Sequence, residues 1–145
     1  MATEMFERLH RINYLIAETN ALYHQASLKL GISDSAMRVL YTIYDHGESC
    51  LLGDVYKLSD MNKQTVNSAI RKLEREGVVF TRQNSGRTKT VCLTDKGKVT
   101  VEKTAARLAE MELSAFSSWT QEEINSYIGF MEKFAACFRK QVKEI

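Results

Sequence analysis

The run Asn62-Lys63-Gln64-Thr65-Val66-Asn67-Ser68-Ala69-Ile70-Arg71-Lys72 mixes side-chain amides, hydroxyls and cations with apolar residues and contains no acid. Asn and Gln can pair with the edge of adenine through two hydrogen bonds, and Lys or Arg with guanine or a phosphate. On a helix, Lys63, Asn67 and Arg71 fall at i, i+4 and i+8, flanked by Gln64, Ser68 and Lys72. Val66, Ala69, Ile70 and Leu73 make a separate apolar face. An ordinary solvated helix face is richer in Glu, so this stripe points to a nucleic-acid face. A second basic element follows. Two β-branched or aromatic runs, Val78–Arg82 and Thr90–Thr94, bracket the turn-rich Gln83-Asn84-Ser85-Gly86-Arg87-Thr88-Lys89, a β-hairpin signal with a cationic tip.

The charge distribution agrees. The 145 residues carry a net charge of +2, but residues 61–98 hold 9 basic and 3 acidic side chains. Residues 1–60 hold 5 and 8, and residues 99–145 hold 6 and 7. A basic segment inside a near-neutral chain is the footprint of a polyanion-binding surface, although a solvated surface would also produce it.

The elements that must position these residues read as follows. Residues 5–30 form a helix with Met5, Leu9, Ile12 and Ile16 on one face and a stop at Gly31. A second helix follows Ser33-Asp34-Ser35 and closes at Gly47; a short third covers Leu52 to Leu58. Asn62 is the N-cap of the fourth, which ends at Gly77. After the hairpin, one helix runs from Asp95 with Val101, Ala105, Leu108, Met111 and Ala115 at helical spacing. Thr120-Gln121-Glu122-Glu123 is a capping box that opens the last helix, striped with Ile124, Tyr127, Ile128, Met131, Phe134, Ala135 and Phe138. The short third helix, the Ser59-Asp60-Met61 turn and the fourth helix make a helix-turn-helix, whose second helix enters the major groove. With the hairpin as a wing, the fold class is mainly α with a small β-hairpin: a winged helix-turn-helix core between terminal helices.

The sequence from Asn62 to Val79, with Arg82, Gly86-Arg87 and Leu93-Thr94-Asp95-Lys96-Gly97, resembles the MarR family of bacterial transcription regulators. The pair Leu73-Glu74-x-x-Gly77 and Leu93-Thr94-x-x-Gly97 at this spacing is specific to that family, and the likeness covers nearly the whole chain. It implies a homodimer with an N-terminal dimerisation helix at 1–32, a winged helix-turn-helix DNA-binding domain at 33–97 and C-terminal dimerisation helices at 98–145. The DNA-binding residues it implies are Asn62, Lys63, Gln64, Thr65, Asn67, Ser68, Arg71 and Lys72 on the recognition helix, with Arg82, Arg87 and Lys89 on the wing. Members often carry Asp two residues before the wing arginine; here the position is Ser85. The apolar stripes of the terminal helices independently call for a partner, since a winged core is too small to cover them; a monomeric helical bundle is the alternative.

The implied function is a sequence-specific, double-stranded-DNA-binding transcriptional regulator, a cytoplasmic homodimeric repressor on a pseudo-palindromic operator, relieved by a small-molecule effector. His10, Arg11, Tyr14, Arg38, Tyr41 and Tyr44 are the candidate ligand-lining residues. The alternative is a winged-helix protein-interaction module with only nonspecific DNA affinity. An RNA binder lacks exposed aromatics for stacking on unpaired bases.

Other chemistry has little support. His10, His24 and His46 are scattered, and no nucleophile–base set or phosphate loop is present, so no enzyme and no cofactor are expected. Cys50, Cys92 and Cys137 form no CxxC and have no histidine at ligand spacing, which argues against a metal site. Peroxide-sensing relatives in the family carry a cysteine early in the first helix; here none precedes Cys50. Cys92 and Cys137 read as core, and Cys50 as the one with a chance of exposure. The longest apolar run, Phe134–Phe138, is far short of the roughly 20 residues of a membrane span, and the N-terminus is too charged for a signal peptide.

Overall fold

Small polar residues cap four of the helices. Ser33 Oγ accepts from the Ala36 N–H at 3.2 Å, Asn62 Oδ1 from Thr65 at 2.8 Å and Thr94 Oγ1 from Gly97 at 2.9 Å. At Thr120 the box is reciprocal: Glu123 N–H donates to Thr120 Oγ1, and Thr120 N–H to the Glu123 carboxylate, both at 3.1 Å. Each cap satisfies a backbone donor that the first turn leaves orphaned.

The computed structural model describes residues 1–145. In chain order it contains α1 (Ala2–Lys29), α2 (Asp34–Asp45), β1 (Ser49–Leu51), α3 (Leu52–Leu58), α4 (Lys63–Arg75), β2 (Val79–Gln83), β3 (Lys89–Leu93), α5 (Asp95–Lys103), α6 (Ala105–Phe116) and α7 (Gln121–Lys143). They fall into two compact units, Met1–Leu108 and Ala109–Ile145. No helix is long and apolar enough to cross a membrane.

In the first unit the core gathers Met37, Leu40 and Ile43 of α2, Val55 of α3, Val66, Ile70 and Leu73 of α4, and Val91 of β3. The sheet is antiparallel in the order β1-β3-β2, with Cys50 opposite Val91 and Thr81 opposite Val91 on its other side. The paired Leu-x-x-x-Gly motifs have a physical explanation here. Leu73 and Leu93 are buried, and Gly77 takes the left-handed φ of +72° that ends α4. Thr94 Oγ1 donates to the Gly77 carbonyl at 2.5 Å, and Lys96 Nζ to that of Glu76 at 2.6 Å, which satisfies the open end of α4. At Gly97 a Cβ would stand 2.0 Å from the Val78 carbonyl oxygen, so the start of α5 can lie this close only as glycine. The motifs are the two halves of a joint between the end of α4 and the start of α5. In the second unit Trp119 meets Phe116 and Tyr127 edge to face, at 5.0 and 5.5 Å between centroids.

The structure departs from the sequence expectation in five places. The helix expected from Asp95 is two, because Thr104 (φ −127°, ψ −86°) interrupts it; its hydroxyl bonds back to the Thr100 carbonyl at 2.7 Å, and Thr100 likewise to Lys96 at 2.9 Å. Such back-bonding competes with the helix ladder and bends it. A third strand, β1, forms where only a loop is expected, and the hairpin strands are each shifted by one residue. Cys50, expected to be the most exposed cysteine, is 3% exposed, because β1 pairs it over the core. Cys137, expected in the core, is exposed together with Phe134 and Phe138, since that stripe has no cover within the chain.

Candidate nucleic-acid interface

α4 is held by its apolar face and presents the rest. Val66, Ala69, Ile70 and Leu73 are buried, whereas Lys63, Gln64, Thr65, Ser68, Arg71 and Lys72 are exposed and Asn67 is half-buried. The first turn of α4 contains no acid, and the open N–H groups and helix dipole there favour an anion. Asn62 spends its side-chain oxygen on the cap, so its part in the site is to start the helix.

Tyr56 of α3, a residue the sequence reading does not single out, organises this surface. Its hydroxyl donates to Asn67 Oδ1 at 2.6 Å, and Lys63 Nζ lies 5.4 Å from the centre of its ring. The Asn67 carboxamide is therefore anchored through one lone pair of its oxygen, with its Nδ2 donors free. The cation over the ring is held by the ring's negative face. A seven-residue helix gives no periodic signal, which is why Tyr56 escapes a reading by pattern. Arg38 fixes the turn between the two helices: its guanidinium donates to the Asp60 carbonyl at 3.2 Å and lies 3.7 Å from the Asp60 carboxylate. Asp60 has a φ of +55°, so the turn passes through the left-handed region at a residue type that tolerates it.

The wing is stiffened by amides. Gln83 Nε2 donates to the carbonyls of Gly86 and Thr88, both at 3.2 Å, and Asn84 Nδ2 to Thr90 Oγ1 at 2.8 Å. Gly86, with φ of +85°, makes the turn possible. Arg82, Arg87 and Lys89 are exposed, and Arg87 has no hydrogen-bond or ion-pair partner in the chain. Ser85 is thus compatible with a braced tip: amide side chains hold the loop backbone and the Arg87 guanidinium is left free. Thr81 Oγ1 donates to Glu74 Oε1 at 2.6 Å, tying the first wing strand to α4.

The six ligand candidates lie on two helices. On α1, His10, Arg11 and Tyr14 are exposed, with the Arg11 guanidinium 5.4 Å from the Tyr14 ring centre. On α2, Tyr41 and Tyr44 meet edge to face at 6.3 Å, and Arg38 is engaged at Asp60. A cleft of about 150 Å³ in the first unit is lined by other residues, among them Ile32, Ala36, Lys72, Glu76 and Thr100, and by none of the six.

The sequence model of the MarR family matches residues 30–88. No curated protein matches the sequence. Among solved structures, a MarR family regulator from Neisseria meningitidis superposes with a TM-score of 0.84 at 17% identity, covering 94% of this chain and 97% of that one. MepR of S. aureus, solved with DNA, gives 0.69 at 22% identity over 89% and 96%. BpsR of Bordetella bronchiseptica, whose DNA binding is regulated by 6-hydroxynicotinic acid, gives 0.66 at 19% over 86% and 98%. Residues 30–88 thus match the MarR family model, and the chain has the fold of MarR family transcriptional regulators over nearly its whole length.

Proposed function

We propose that the chain is a sequence-specific regulator of transcription that binds double-stranded DNA as a cytoplasmic homodimer and represses by occupying a pseudo-palindromic operator. The observation that carries this reading is the acid-free, exposed face of α4, with Asn67 and Lys63 pre-positioned by Tyr56 and the braced, unpaired Arg87 on the wing. Gln64, Asn67, Ser68 and Arg71 would read bases; Lys63, Lys72, Arg82, Arg87 and Lys89 would engage phosphates or the minor groove; Thr65 would lie at the backbone. MepR, solved in complex with DNA, supports the choice of ligand.

The dimer reading rests on apolar surface. α7 buries no residue within the chain, and Tyr127, Ile128, Met131, Phe134 and Phe138 are exposed along it; α1 exposes Met5, Phe6, Leu9, Ile12 and Ile16. Covering each large side chain contributes about 1.5–3 kcal/mol, so a row of them left in water strongly favours association. In functional terms residues 1–32 and 98–145 would serve dimerisation and 33–97 DNA binding. BpsR supports the further reading that a small-molecule ligand relieves binding, with His10, Arg11, Tyr14, Arg38, Tyr41 and Tyr44 as candidate contacts.

Hydroxyl-radical footprinting on a site enriched from random duplex tests the reading. Two protected tracts on one face, about one helical turn apart, are expected. A single tract would contradict the dimeric mode. No tract at all would leave the protein-interaction module as the better account.

A further inference from the structure

At the end of α2, on β1 and in the first turn of α3, the spacing His46-x-x-x-Cys50-x-x-x-Asp54 brings together three unlike donors. One imidazole nitrogen, Cys50 Sγ and one Asp54 carboxylate oxygen all lie within 4.8 Å of one another. The sequence expectation of no histidine at ligand spacing to a cysteine fails here because the spacing spans a helix end, a strand and a helix start, and only the fold closes it. We propose that His46, Cys50 and Asp54 form a binding site for a thiophilic divalent cation of the zinc type.

Three features beyond proximity support the site. His46 Nδ1 is 2.8 Å from the Thr42 carbonyl; with Nδ1–H donating there, the lone pair is on Nε2 and the ring is oriented, the outer-shell arrangement that metal-ligating histidines use. Asp54 is half-buried and has no Lys or Arg partner, so a carboxylate stands beside a thiol with no cation to balance it. The donor set supplies that balance: a thiolate and a carboxylate neutralise one divalent charge, and the imidazole adds none.

The chemistry also selects the metal. Zinc bonds of about 2.0–2.3 Å at tetrahedral angles put donors about 3.3–3.6 Å apart, so the three must close by roughly 1 Å. Cys50 is buried and the His46 ring is held at Thr42, so the closure falls mainly to the half-buried Asp54 side chain, with a small pivot of the imidazole about its Nδ1–H···O bond. Thiolate and imidazole favour zinc over magnesium or calcium, and three protein ligands leave a fourth position for water. The cation would join α2 to β1 and α3, the support on which the helix-turn-helix stands, and would stabilise the folded state by mass action.

The test uses the 145-residue chain, stripped of metal and titrated with Co²⁺. One equivalent per chain is expected to give a thiolate-to-cobalt charge-transfer band with tetrahedral visible bands, both displaced by Zn²⁺. His46→Gln, at an exposed position, should weaken binding by at least about tenfold, and Cys50→Ala should abolish the charge-transfer band, while Cys137→Ser leaves it unchanged. Absence of the band in the parent protein, or its persistence in Cys50→Ala, would overturn the proposal.

Discussion

The Tyr56 hydroxyl donates a 2.6 Å hydrogen bond to Asn67 Oδ1, and this bond decides what Asn67 can offer to a partner. Bidentate pairing with adenine needs both a carboxamide donor and acceptor, and here one of the oxygen's two lone pairs is already engaged by Tyr56. With its oxygen shared, Asn67 offers chiefly its Nδ2 donors, which suits O6 or N7 of guanine, O4 of thymine or N7 of adenine rather than the two-bond pairing with adenine. Asn67→Ala should remove preference at one base position, by about 1–3 kcal/mol. Tyr56→Phe should instead shift the preference at that same position towards adenine, because the freed oxygen can accept. Enrichment of binding sites from random duplex with each variant reads both effects. An identical preferred base in parent and Tyr56→Phe protein would mean that the bond does not govern readout.

Arg87 is exposed and unpaired on a tip braced by Gln83 and Asn84. A free guanidinium that meets phosphate contributes affinity without sequence preference. Arg87→Ala should weaken binding to all sites and reduce the slope of log affinity against log salt by about 1. Anisotropy titrations at several salt concentrations give the slope; an unchanged value would remove the wing from the interface.

At Gly97, a methyl group would lie 2.0 Å from the Val78 carbonyl oxygen, a backbone atom that cannot rotate away. Gly97→Ala should cost about 1–3 kcal/mol of stability by overpacking, read as a lower urea midpoint at unchanged slope. Asn62→Ala, which removes the cap of α4, should cost about 1 kcal/mol. Parent-like midpoints for both would mean that neither the α4–α5 joint nor the cap is as close as described.

Burial, and then the charge of Asp54, push the Cys50 thiol above its ordinary value of 9.0. The folded state therefore holds this proton more tightly than the unfolded chain. Its contribution to stability is fully present below about pH 9 and is lost as the pH rises towards the folded-state value. Metal-free protein should lose stability faster with rising alkalinity than Cys50→Ala, as denaturation midpoints on either side of that pH would show. Equal slopes would contradict the shift.

Replacing Phe134 and Phe138 together by Ser removes two exposed apolar side chains from α7 without touching the buried core. Sedimentation should then show a larger monomer fraction than in the parent at the same concentration. A parent-like distribution would place the dimer contact elsewhere.

Much of the scaffold was legible because local chemistry fixes it. The Asn62 cap and the Thr120 box each depend on residues a few positions apart, and apolar periodicity marks α4 as a helix with one buried face. What stayed hidden depends on partners distant in sequence or on runs too short to show a period. β1 is three residues long and exists only because β3 pairs with it. Thr104 looks like any other residue in a helical run until its hydroxyl bonds backwards. Cys137 shows the limit of a stripe: spacing beside Phe134 and Phe138 says that a face seeks cover, and is silent on whether the same chain supplies it. Within the site, the outward residues of α4 could be read from spacing, whereas the contacts of Tyr56 with Asn67 and Lys63 belong to the packing of two helices.

The most direct measurement of the central claim, that α4 reads duplex DNA, is selection of binding sites by the purified protein from a randomised duplex pool at about 150 mM salt, where screening confines bare electrostatic attraction to short range. An inverted repeat with a fixed half-site spacing is the expected result, since two recognition helices related by a dimer axis must enter successive major grooves. Diffuse enrichment that fades with modest added salt would contradict it, because only phosphate attraction behaves that way.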